Sequence, residues 1–248
     1  SSSKSGNSGK RGLAYNDASL CSAFKGSNEI SWAYNWGAST APLNLPGVKY
    51  IPTMWGNKPD FTNGWADKAK AAIASGSDVI FSFNEPDHPE QANMSPAQAA
   101  DMYRKYMNPL AGQGAKLCAP SVTNGVKNAD GSPMGLPWLK EFLAQCTDCK
   151  IDCLNIHWYD SASNVQYFKD HVTEAHALGN GQLPVYVSEF GATGNPAPSD
   201  VSTFLKAVMP WMDSQSFVSG YAYFMVANGN LLNGLVPSLF GSTYMSSS

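Results

Sequence analysis

Short apolar runs alternate with stretches of helical periodicity along nearly the whole chain. RGLAYN at 11–16 is the first strand-like run, and Asp17 behind it is a natural N-cap for a helix reaching about Phe24. SWAYNWG at 31–37 and VKYIPTMWG at 48–56 read as the second and third strands. WADKAKAAIA at 65–74 predicts a helix stopped at Gly76, and DVIFSFNEPD at 78–87 carries the clearest strand pattern. Ser95, with Pro96 at the first helical position, opens a predicted helix through about Met107. KLCAPSVTN at 116–124, IDCLNIHWYD at 151–160, PVYVSEFG at 184–191 and VSGYAYFMVA at 218–227 supply the remaining strands. Further helices are predicted over 136–146, over 164–179 with Gly179 as C-cap, and over 200–214, where Pro210 is expected to kink the helix or start a second segment. A Gly/Asn/Ser-rich tail follows.

Eight strand-like runs separated by helices or loops leave two architectures, an open doubly wound sheet or a closed barrel. A doubly wound nucleotide-binding domain should carry a glycine fingerprint after an early strand; neither GxGxxG nor GxxxxGK[ST] occurs. Eight strands fill a barrel without remainder. The 248 residues allow two ordinary domains, yet single α/β barrels also run to roughly 250 residues. The predicted fold is α/β, a single (β/α)8 TIM barrel over residues 11–248. Residues 1–10, SSSKSGNSGK, carry no apolar side chain and are expected to form a disordered leader.

Composition narrows the partners. Charged residues are 14% of the chain, against about 25% in average proteins, and the net charge is −3. That balance excludes a coiled coil and a basic nucleic-acid surface and suits a neutral, polar substrate. No apolar run reaches the roughly 18 residues of a membrane span, so neither nucleic acid nor membrane is an expected partner, and the chain is expected to be a monomer. Without a signal peptide the chain is expected to be cytosolic or the mature form of an exported protein. The serine-rich leader suits the second, with a secreted or cell-wall location.

Five cysteines, Cys21, Cys118, Cys146, Cys149 and Cys153, leave at least one unpaired. Zinc on Cys146, Cys149, Cys153 and His157 is disfavoured. Cys153 and His157 are four strand steps apart, about 13 Å at roughly 3.3 Å per residue, too far to share an ion. A surface disulfide Cys146–Cys149 is expected; Cys118 and Cys153 pair or remain buried thiols; Cys21 stays free. No metal or cofactor is expected.

Active sites of such barrels lie at the carboxyl ends of the strands. Only two carboxylates stand directly there, Glu85 after the fourth strand and Glu189 on the seventh; the other end residues are mainly Asn, Trp, Tyr and His. Two carboxylates facing one cavity are what glycosidic bond cleavage needs: one protonated for the leaving oxygen, one ionised to attack or to activate water. Asn and His can hold sugar hydroxyls, and Trp or Tyr faces suit a pyranose. Each residue also has a plainer reading. NEP at 84–86 can be a turn, Trp36, Trp55 and Trp158 core filling, and His157 a hydrogen-bonded buried imidazole. His88, His171 and His176 read as loop or helix-surface residues.

RGLAYN, SWAYNW, YIPTMWG, FSFNEPD, APSVTNG, CLNIHWY and VSEFG together resemble fungal members of glycoside hydrolase family 128, in the clan A retaining hydrolases. The motifs run from about residue 11 to residue 225. The resemblance implies an endo-β-1,3-glucanase with β-1,3-glucan as partner, Glu85 as acid/base and Glu189 as nucleophile. It further implies Asn84 on the sugar 2-hydroxyl, and Asn35, Trp36, Trp55, His157, Trp158, Tyr159 and Tyr223 as cleft residues. Glu85 should then have a raised pKa and Glu189 a low one. A weakly catalytic glucan-binding protein, or a hydrolase of another β-glycan, are the alternatives.

Overall fold

The computed structural model describes residues 7–246. Most of the expected leader, residues 1–6, lies outside them. Residues 7–10 are tied to the body: the Asn7 amide donates to Ile30 O at 2.8 Å, and Lys10 Nζ donates to Met212 O and Gln215 O.

Strand β1 spans Arg11–Ala14, β2 Ile30–Tyr34 and β3 Lys49–Tyr50. Helices α1, Pro59–Thr62, and α2, Trp65–Ala74, lead to β4, Val79–Ile80. Helix α3, Pro96–Tyr106, β5, Lys116–Leu117, and α4, Gly135–Gln145, follow. Then come β6, Leu154–Asp160, α5, Val165–Leu178, β7, Val185–Ala192, α6, Pro198–Ser214, and β8, Val218–Tyr223. A hairpin of β9, Leu232–Asn233, and β10, Val236–Pro237, precedes α7, Leu239–Met245. Ser95 caps α3 reciprocally: its Oγ accepts from Gln98 N and its own N–H donates to Gln98 Oε1.

Regular parallel pairing gives a six-stranded sheet in the order β3-β2-β1-β8-β7-β6 and a separate β4-β5 pair. Isolated parallel bridges span the two gaps. Thr53 pairs with Phe81 between the ends of β3 and β4, and Cys118–Cys153 and Val122–Ile156 join β5 to β6. The strands thus follow the circuit of a (β/α)8 barrel.

Several elements differ from the sequence reading. Strands β3, β4 and β5 hold two paired residues each, because bridges replace ladders on that side. Residues 18–24 form a 3-10 helix capped by Asp17, whose carboxylate accepts from Ser19 N. Helix α6 runs on through Pro210. The polar tail builds α7, anchored by Tyr244, whose hydroxyl donates to Gly12 O at 2.6 Å.

Inside the barrel Ala14, Trp32, Tyr34, Ile51, Phe81 and Ala222 form one apolar cluster, separate from the larger core between barrel and helices. Trp32 meets Phe81 and Tyr186 edge-on. Two glycines make room for it: a Cβ at Gly12 would lie 2.3 Å from Trp32 Cε2, and one at Gly220 would lie 2.6 Å from its Nε1.

Cys118 pairs with Cys153 across β5 and β6, Cys146 pairs with Cys149, and Cys21 is free and buried. Cys146 is buried and Cys149 half-buried between exposed neighbours, so the expected Cys146–Cys149 bridge forms just beneath the surface. His171, expected on a helix surface, faces inward from α5, and burial pushes its imidazole down to about 4.

Candidate active site

Glu85 follows the short β4 through a turn that only a strained backbone makes. Its N–H donates to Ser121 O at 2.8 Å, and its φ of +45° lies in the left-handed region, rare for residues other than glycine. Trp36, just past β2, has φ +58°, and its indole Nε1–H donates to Glu189 Oε2 at 2.8 Å. Both left-handed residues therefore serve the same cavity.

Glu189 sits on β7 opposite His157 on β6 in the strand register. It accepts two hydrogen bonds, one on each oxygen: Trp36 Nε1 on Oε2, and Tyr159 Oη on Oε1 at 2.6 Å. Burial and the Glu189 charge push the Tyr159 hydroxyl up, so it remains a donor.

His157 joins the two carboxylates. Its Nδ1 lies 3.0 Å from Glu85 Oε2, while its Nε2 lies 3.0 Å from Ser188 Oγ and 3.5 Å from Glu189 Oε2. Burial disfavours the imidazolium, yet Glu189 and Glu85 outweigh it and hold His157 above its ordinary value. Burial likewise opposes the Glu85 charge, but the hydrogen bond and charge of His157, with His88, hold Glu85 below the ordinary carboxylate range. The expected raised Glu85 is thus not what the free site presents.

The cavity around these groups has a volume of about 470 Å³ and is lined by Asn16, Trp36, Trp55, Asn84, Glu85, Gln91, Tyr159, Glu189, Phe224 and Met225. A larger groove of about 1120 Å³ between residues 38–50 and α2 has no carboxylate in its walls. Donor atoms of Glu85, His157 and Glu189 lie within 4.8 Å of one another, which would also suit a cation. Both imidazole nitrogens are, however, engaged with Glu85 and Ser188.

Of the residues singled out from sequence, the structure gathers Trp36, Trp55, Asn84, Glu85, His157, Tyr159 and Glu189 at this one place. Three lie elsewhere. Trp158 alternates away from the barrel interior and stacks on Phe204 at 5.6 Å, fully buried under the helices. Tyr223 packs on Phe190 and Phe240 and accepts from Ala192 N. Asn35 holds the loop after β2, accepting from Tyr50 Oη at 2.6 Å and donating to Ser39 O. The cavity also takes Asn16, Gln91, Phe224 and Met225. Asn16, Phe224 and Met225 follow the ends of β1 and β8, where the barrel rule looks for them, whereas Gln91 stands in a loop that no sequence pattern marks.

A barrel that aims two glutamates from the ends of β4 and β7 into an aromatic-walled cavity is the framework of a glycoside hydrolase. Residues 12–244 match the family described as the glycosyl hydrolase catalytic core, and the chain belongs to that family. It is similar to alkali-sensitive linkage protein 1 of Schizosaccharomyces pombe, with 32% identity over 232 residues that make up 89% of this chain and 39% of that protein. The chain thus spans about two fifths of that relative's length. Its structure resembles a glycoside hydrolase family 128 (subgroup III) curdlan-specific exo-β-1,3-glucanase from Blastomyces gilchristii, solved with glucose. The TM-score is 0.87 and the identity 42%, over 97% of this chain and 99% of the other. A subgroup I endo-β-1,3-glucanase from Amycolatopsis mediterranei, solved with laminaritriose, matches with TM-score 0.78 and 26% identity over 95% and 98% of the two chains.

Proposed function

We propose that this chain hydrolyses β-1,3-glucan by retaining double displacement, with Glu189 as nucleophile and Glu85 as acid/base. The observation that carries this reading is the approach of the two carboxylates. Oxygens of Glu85 and Glu189 come within 4.8 Å of each other across one cavity. Retaining enzymes hold their carboxyl groups about 5–5.5 Å apart, whereas inverting ones leave about 6.5–9.5 Å for a water.

The surroundings of each carboxylate fit its part. Two donors, one on each oxygen, hold the Glu189 carboxylate in place for attack on the anomeric carbon. Glu85 has the imidazole at 3.0 Å as its proton source. When glucan displaces water, the neutral carboxyl is favoured over the charged one, and His157 Nδ1 passes its proton to Glu85. Glu85 donates it to the departing glycosidic oxygen as the glycosyl–Glu189 ester forms. A water then replaces the leaving sugar, gives its proton to Glu85 and opens the ester, so the β-configuration is kept.

The relatives support the substrate class, and the exo-acting relative at 42% identity favours cleavage from a chain end over the endo cleavage expected from sequence. Two disulfides fit an exported protein. Sizing the products of curdlan or laminarihexaose over time tests the reading: glucose accumulating from the first time point is expected. Mixed laminari-oligosaccharides at early times would point to endo cleavage, and glucan binding without any product would point to a binding protein.

A further inference from the structure

Gln91 has no counterpart among strand-end residues, yet it lines the catalytic cavity. The loop after Glu85 folds back to put it there. His88 N donates to Glu85 O, Gln91 N to His88 O, Ala92 N to Asn84 O at 3.2 Å, and Met94 N to Pro86 O at 2.9 Å. Ala92 and Met94 are buried, and Trp138 Nε1 holds Met94 O at 3.0 Å. Gln91 is therefore held by a pinned loop rather than by a free surface segment.

Its Oε1 accepts from Asn84 Nδ2 at 3.3 Å, which is the hydrogen bond that the buried Asn84 amide makes to another side chain among the described residues. This bond fixes which way the Asn84 amide faces: one Nδ2 hydrogen is taken, leaving Oδ1 and the second hydrogen for a ligand. The amide nitrogen of Gln91 makes no hydrogen bond to a described residue and is a spare donor in the cavity wall.

We propose that Gln91 is a specificity-determining residue for the hydroxyl next to the anomeric carbon: it orients Asn84 toward that hydroxyl and offers its own Nε2–H to the same sugar. This rests on the hydrolytic reading above. Contacts to that hydroxyl strengthen as the oxocarbenium-like transition state forms, so the effect falls on kcat as well as KM.

The test compares Gln91→Ala with the unsubstituted chain on two aryl β-glycosides, a glucoside and its 2-deoxy analogue. Gln91→Ala should lower kcat/KM about 10- to 100-fold on the glucoside, the loss expected for one hydrogen bond and its dependent contact, and less than about threefold on the 2-deoxy analogue. Gln91→Glu keeps the acceptor for Asn84 but lacks the donor, and should fall between the two on the glucoside. Equal losses on both substrates, or no loss on either, overturn the proposal while the hydrolytic reading stands. If the unsubstituted chain cleaves neither glycoside and releases nothing from laminarihexaose, the hydrolytic reading fails and takes this one with it.

Discussion

Replacing His157 by Gln removes the imidazole while leaving an amide able to donate to Glu85. In the structure His157 is 1% exposed, 3.0 Å from Glu85 and 3.5 Å from Glu189, so its charge is felt by both carboxylates. Asp87, itself buried, adds to its preference for the charged form, and Ser188 Oγ faces its other nitrogen. Glu85 and His157 share a proton across their 3.0 Å contact, and the basic limb of the rate profile belongs to that pair rather than to either residue. With the imidazole raised above 6.5, that limb should lie above 6.5 in the unsubstituted chain. In His157→Gln the proton must sit on Glu85, whose carboxyl is raised by burial but has lost the imidazole that shared the proton, so the limb moves to lower pH. Loss of one charge-assisted hydrogen bond, about 1.5–3 kcal/mol, should also reduce kcat/KM at the optimum roughly 10- to 150-fold. The assay is kcat/KM on a soluble laminari-oligosaccharide from pH 3 to pH 9. A basic limb unmoved by the substitution would refute the reasoning, because the proton would then belong elsewhere.

Three further outcomes concern the scaffold. Arg11, fully buried on β1, donates to Tyr221 Oη and to the carbonyls of Tyr244 and Ser246, and lies near Glu29 and Asp213. Both carboxylates are about a third exposed, so Arg11→Met should cost about 3 kcal/mol, the low end for breaking a buried charged network, with faster amide exchange in α7. Gly12→Ala drives a methyl into Trp32, 2.3 Å away, and should lower Tm by roughly 5–10 °C in calorimetry. Removing both Cys118 and Cys153 as Ala should cost about 3–4 kcal/mol in chemical denaturation, from the 35-residue separation that the bridge closes.

Much of this architecture is legible in the amino-acid order. Helices α2 and α5 fall almost where small apolar spacing and a terminal glycine place them. Strands β6 and β7 pair along the whole of β6, and β8 continues the sheet on the far side of β7, as their apolar runs lead one to expect. Strands β3 to β5 look as long in sequence but pair regularly over only two residues each, with isolated bridges from β3 to β4 and from β5 to β6, a matter of register that no local pattern encodes. Helix α7 hides in a polar tail because its stability comes from Tyr244 and the Arg11 network, contacts made with residues more than 200 positions away. At the site, strand ends located both glutamates. Alternation along β6 already separates inward His157 and Tyr159 from outward Trp158, and the same rule turns Tyr223 outward on β8 beside the inward Ala222. Gln91 escapes any such rule, since its place depends on a loop doubling back through backbone hydrogen bonds.

Retaining double displacement requires Glu189 to act as a nucleophile across from Glu85, and the stereochemistry of the first product tests that most directly. Proton NMR of a laminari-oligosaccharide digest, recorded before mutarotation, should show the β-anomer accumulating first, with the signal absent in Glu189→Gln. An α-anomer appearing first would contradict the double displacement and with it the assigned roles of both glutamates.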